Sequence, residues 1–142
     1  MENCVIQEIT YIDEFLSLCE MASKSKHPNA KNYNVDQMKK RWNKYLIITK
    51  LIKGDEVIAF SGLYDYGNNL VRVVDRLYIE QKYRYNFMTK SIANPIKPAL
   101  QYFIPYQTKW AMEKGYDCFF SIQTKRKRNA MERLTKQSDP SL

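Results

Sequence analysis

Tyr45-Leu46-Ile47-Ile48-Thr49-Lys50-Leu51-Ile52-Lys53 is followed by Gly54-Asp55, and then by Glu56-Val57-Ile58-Ala59-Phe60-Ser61-Gly62-Leu63-Tyr64. After Gly67-Asn68-Asn69 comes a third run, Leu70-Val71-Arg72-Val73-Val74-Asp75-Arg76-Leu77-Tyr78-Ile79. Each run is rich in β-branched, aliphatic and aromatic residues, and each gap carries the Gly, Asn and Asp that tight turns require. Three consecutive strands with short connections predict an antiparallel meander.

The flanks add helices and two more strands. Cys4–Ile9 reads as a first strand. Thr10 with Asp13 resembles a capping box opening a helix over Tyr11–Ala22, with Ile12, Phe15, Leu16, Cys19 and Ala22 on one face. Residues 23–34 are polar and read as a loop, and Asn34 can cap a short helix from Val35 to about Asn43 with Met38 and Trp42 as its apolar contacts. Beyond the meander, residues 80–104 lack periodicity and contain Pro95 and Pro98, an unusually long connection for a chain of this size. Pro105 suits a helix start, Tyr106–Lys114 continues it and Gly115 ends it. Tyr116–Thr124 is then a strand, followed by Lys125-Arg126-Lys127-Arg128 and a last helix over Asn129–Gln137. The fold class is α/β (α+β): a mixed central sheet in which Tyr116–Thr124, reached by a helical crossover, runs parallel to Leu70–Ile79.

The 142 residues are 44% hydrophobic and 13% aromatic, enough for one core and a single domain over 1–142. No apolar run approaches the roughly 20 residues that span a bilayer, and the acidic start Met1-Glu2-Asn3-Cys4 lacks a signal core, so a cytoplasmic protein without membrane attachment is expected. Cys4, Cys19 and Cys118 are too scattered for a disulfide framework or a zinc site and read as reduced thiols, Cys118 as a buried strand residue. His27 is the single histidine, which argues against His-based metal centres and triads. No metal is expected. The net charge of +8 is unevenly placed: residues 1–80 carry 11 Lys+Arg and 11 Asp+Glu, residues 81–142 carry 12 and 4. That asymmetry suggests an anionic partner for the C-terminal part, either cofactor phosphates or nucleic acid, or else a solvated basic face.

Three local matches and the element order resemble the GNAT superfamily of acyl-CoA-dependent N-acetyltransferases, of which this chain would be a divergent member. Leu77-Tyr78-Ile79-Glu80-Gln81-Lys82-Tyr83-Arg84 is similar to the family's central-strand ending before the pyrophosphate loop. Trp110-Ala111-Met112-Glu113-Lys114-Gly115-Tyr116-Asp117 is similar to the end of its third helix, and Arg128-Asn129-Ala130-Met131 to the start of its fourth. The resemblance implies acetyl-CoA as co-substrate and transfer of its acetyl group to an amine. By position it implies cofactor contacts at Leu77, Tyr78, Ile79, Arg84, Tyr85, Asn86 and Asn129. The chain departs from the family at three places. Tyr85-Asn86-Phe87-Met88-Thr89 follows Arg84 without the two glycines of the family's loop, so Lys82, Arg84, Lys90 or Lys97 would have to hold the phosphates. No tyrosine follows Asn129 to protonate the thiolate, which leaves water or Tyr85. Only five residues follow Gln137, so the family's two C-terminal strands are missing, and a homodimer covering the open sheet edge is expected.

Asp75 lies inside an apolar strand between Arg72 and Arg76. The resemblance implies a general base for the acceptor amine; the neighbouring charges point instead to a structural ion pair with Arg72 or Arg76. Tyr78, Tyr83 and Tyr85 read as stacking residues or as edges of the core. Lys125–Arg128 reads as a contact for the cofactor's 3′-phosphate, as a nucleic-acid patch or as a solvated turn. The alternative to an enzyme is a catalytically silent GNAT-like module binding a protein or nucleic acid through its basic half.

Overall fold

Alternation along the meander decides which side chains meet. Ile47, Ala59 and Ile79 point to one side of the sheet, whereas their neighbours Ile48, Phe60 and Tyr78 point to the other. Both faces are therefore apolar, and both need a helical cover. The computed structural model describes residues 4–26, 30–80, 83 and 99–120. Within them β1 (Cys4–Glu8), β2 (Tyr45–Lys53), β3 (Glu56–Gly67), β4 (Leu70–Ile79) and β5 (Asp117–Phe120) form one sheet in chain order. β1 through β4 pair antiparallel, and β5 joins β4 in parallel, Leu70 opposite Asp117 and Val73 opposite Phe120. The mixed sheet predicted from the sequence is present.

Helix α1 (Ile12–Ser23) and helix α2 (Val35–Arg41) cover one face, where Phe15, Cys19, Met38, Ile48, Phe60 and Tyr78 share a core. Helix α3 (Ile104–Glu113) follows a π-helical turn at Ala99–Phe103 and covers the other face with Phe103 and Ala111. Pro105 sits in the first turn of α3, and Gly115 takes φ +83° just after its end, as the stop signal required.

Four local expectations need correction. The Thr10–Asp13 capping box does not form: Tyr11 is the cap residue of α1 and its side chain makes no capping bond. Asn34 does cap α2, accepting the Gln37 N–H at 3.2 Å, but the α-helix ends at Arg41 and a 3₁₀ turn, Trp42–Lys44, leads into β2. The polar loop also contains a 3₁₀ turn, Ala30–Tyr33, that buries Tyr33. Its ring packs edge-on against Phe60 and Tyr78 at 5.8 and 5.6 Å between centroids. Cys118 is half-buried rather than buried, while Cys19 is fully enclosed and burial pushes its thiol up to about 12, which keeps it protonated and inert. The predicted strand beyond Phe120, the helix Asn129–Gln137 and His27 lie outside the described residues.

Candidate active site

β4 does not run straight past β3. Phe60 faces Tyr78, Gly62 faces Asp75 and Tyr64 faces Arg72, so twice in succession β4 spends three residues against two. Two bulges result, with Val74 and Arg76 both at φ +56°. Left-handed backbone is unfavourable for any residue with a Cβ and most of all for a β-branched one, so side-chain contacts must hold it in place. Two sets of contacts do so, one from each face.

From the α3 side, Gln107 is completely buried. Its Oε1 accepts the Val74 N–H at 2.8 Å, a donor that the bulge takes out of the ladder. Its Nε2 donates to Thr49 Oγ1 at 3.0 Å and Ser61 Oγ at 3.1 Å. A helix residue thus replaces the missing ladder partner, which satisfies a backbone donor that would be costly to bury alone.

From the other face, Asp75 is 0% exposed and its carboxylate accepts three bonds. Arg41 at the end of α2 donates at 2.5 Å, the Tyr45 hydroxyl at 2.5 Å, and Arg72 at 3.2 Å. Arg72, not Arg76, is the neighbouring arginine that pairs with it. Burial, then the Asp75 charge and the bond to it, push the Tyr45 phenol above its ordinary range, so Tyr45 stays a neutral donor. The Arg41 guanidinium also lies 4.2 Å over the Tyr64 ring, an added cation–π attraction.

Gly62 makes this cluster sterically feasible. A Cβ there would stand 2.3 Å from Cε1 of Tyr45. Gly62→Ala is expected to drive the Tyr45 ring off Asp75 and to destabilise the fold by about 1–3 kcal/mol, as overpacking does. Urea denaturation checks it, and an unchanged midpoint would mean that the ring relaxes freely.

Past the bulges the direction of β4 amides is fixed. The Glu80 N–H donates to Ile58 O at 2.8 Å, so Tyr78 and Glu80 turn their backbone groups toward β3, and Leu77 and Ile79 turn theirs away from it. The Leu77 carbonyl accepts the buried Tyr33 hydroxyl at 2.5 Å. Tyr78 and Tyr83 are core residues, 2% and 7% exposed, and the Tyr83 hydroxyl bonds Glu56 at 2.7 Å. Arg84, Tyr85, Asn86, Asn129 and Lys125–Arg128 lie outside the described residues. Among the described residues no cluster of His, Cys, Asp or Glu is suited to a metal ion, and no helix is long and apolar enough to cross a membrane.

The sequence matches no family model, and no curated protein matches it. Solved structures do match. The PaiA N-acetyltransferase of Thermoplasma acidophilum, solved with coenzyme A, superposes with a TM-score of 0.57 at 13% identity, covering 94% of this chain and 87% of that one. The aminoglycoside acetyltransferase meta-AAC0020 from an uncultured soil sample, solved with trehalose, gives 0.55 at 12% identity, covering 99% and 90%. The aminoglycoside N-acetyltransferase AAC(6')-Iy, solved with CoA, gives 0.53 at 13% identity, covering 95% and 85%. Similarity at this level of identity resides in the fold. The chain has the GNAT fold, as its element order and strand ending indicated.

Proposed function

We propose that this chain binds acetyl-CoA along the end of β4 and transfers the acetyl group to an amine. The supporting observation is the bulged β4, whose Leu77 and Ile79 turn their backbone groups away from β3. An extended pantetheine arm can add to the Ile79 N–H and C=O and to the Leu77 N–H as a further strand would, the Leu77 carbonyl being held by the Tyr33 hydroxyl. In the same reading Arg84, Tyr85, Asn86 and Asn129 contact the cofactor, with basic side chains taking the phosphates in place of loop glycines. The amine nitrogen attacks the thioester carbonyl, the C–S bond breaks, and the proton shed by nitrogen ends on the thiolate through water or Tyr85.

Asp75 enters this proposal as an anchor for Arg41, Tyr45 and Arg72, because its carboxylate oxygens already accept from all three. Reading it instead as the base for the amine predicts an Asp75→Asn protein that folds normally and is inactive.

One observation favours the second reading, a catalytically silent module. The Val74 N–H, released by the bulge, is already bonded to Gln107 and so is not available to a thioester oxygen. A thermal-shift titration with acetyl-CoA and CoA, followed by mass spectrometry of an amine panel, separates the two. Ligand at 100 times its dissociation constant stabilises by about 2.7 kcal/mol, a clear rise in Tm. Binding with acetylated product supports the enzyme, binding without product supports the silent module, and no binding rejects the enzyme and leaves a module whose partner is a protein or nucleic acid.

A further inference from the structure

We infer that the acceptor is an amine carrying a planar aromatic ring, which stacks on Tyr64, Tyr66 and Phe119 beside the Arg41–Asp75–Arg72 cluster. The inference rests on the acyl-transfer reading above and names its second substrate.

Strand register places Tyr45, Tyr64, Arg72 and Phe119 in one line across β2, β3, β4 and β5. Tyr66 joins the line through ring contacts. Centroids are 5.5 Å apart for Tyr45 and Tyr64, 5.3 Å for Tyr64 and Tyr66, and 5.2 Å for Tyr66 and Phe119. Phe15 of α1 covers the Tyr45 end at 5.8 Å. Toward the other end the cover runs out: Tyr64 and Phe119 are half-buried and Tyr66 is 52% exposed. A run of three aromatic rings on one face, one exposed and two partly so, is the kind of surface that marks a binding site.

Charge narrows the ligand. Two guanidiniums share one carboxylate, so the cluster keeps a net positive charge beside the rings. Such a charge attracts the negative face of a neutral aromatic ring and repels a cation placed on it. The ammonium must therefore sit at the far end of the ligand. The proposed position of the thioester, at Leu77 and Ile79, supplies that end: it lies beyond both bulges from the Arg72 row, so a short alkyl chain must carry the nitrogen past the cluster. An aryl ring on a short alkyl chain meets these requirements. A saturated ring of the same size has the shape without the quadrupole.

The test compares 4-phenylbutylamine with 4-cyclohexylbutylamine as acceptors at fixed acetyl-CoA. The aryl amine is expected to show kcat/KM about tenfold higher, since each aromatic pair is worth roughly a factor of two to ten. Tyr66→Ala and Phe119→Ala should bring the ratio close to one while acetyl-CoA affinity stays unchanged. Tyr66→Leu, which keeps an apolar side chain in the strand, guards against a folding defect and should do the same. Equal rates for the two amines in the wild type overturn the inference and leave acyl transfer standing. Should neither amine be acetylated, saturation-transfer NMR on the two compounds decides the matter. Contact confined to the aryl amine and abolished by Tyr66→Leu retains the platform, and no aryl-selective contact overturns it.

Discussion

Asp75→Asn is expected to lower the free energy of unfolding by about 3–5 kcal/mol, the usual cost of removing one partner from a buried charge cluster. The carboxylate side chain is 1% exposed, and the arginines it neutralises are only 23% and 11% exposed. An asparagine keeps the shape but offers one acceptor oxygen and no charge, so Arg41, Arg72 and the Tyr45 hydroxyl compete for it. Against a typical total of 5–15 kcal/mol this is a large fraction. A urea midpoint shifted far down, with the slope unchanged, is the expected result. An Asn variant as stable as wild type, and unable to acetylate, would make Asp75 the base instead.

Gln107→Leu is expected to cost about 2–5 kcal/mol, because several buried groups lose their partner together. The Val74 N–H, Thr49 Oγ1 and Ser61 Oγ all bond this side chain. Each stranded group carries a penalty of about 1–3 kcal/mol, partly relieved by rearrangement. Hydrogen exchange should show the further consequence, with the Val74 amide losing protection before the rest of β4. Undiminished stability would mean that the bulge does not depend on α3.

The sequence carried the frame of this structure and little of its site. β2 and β4 run over the predicted residues, and the parallel partner of β4 follows from the helix between them. Asp75 stood out because an acid inside an apolar strand requires partners, and Arg72 was named among them. Arg41 was not, since it lies 34 residues away and only tertiary packing brings the end of α2 over β4. Gly62 was a signal left unused: a lone glycine inside a strand marks a bulge or a close approach, and here Tyr45 occupies the space. Gln107 was hidden for a different reason. A glutamine on a helix normally faces water, and nothing local announces that a bulge two elements earlier needs its oxygen. Tyr33 was missed because its segment is polar, although one buried tyrosine suffices to pin that loop to Leu77.

Amide NMR of the labelled protein during titration with acetyl-CoA tests cofactor binding along β4 most directly. The Leu77 and Ile79 amides, which turn away from β3, are expected to shift strongly and gain protection from exchange, while those of Tyr78 and Glu80, turned toward β3, move little. Shifts absent at saturating acetyl-CoA, or confined to the β1–β2 edge, would contradict it.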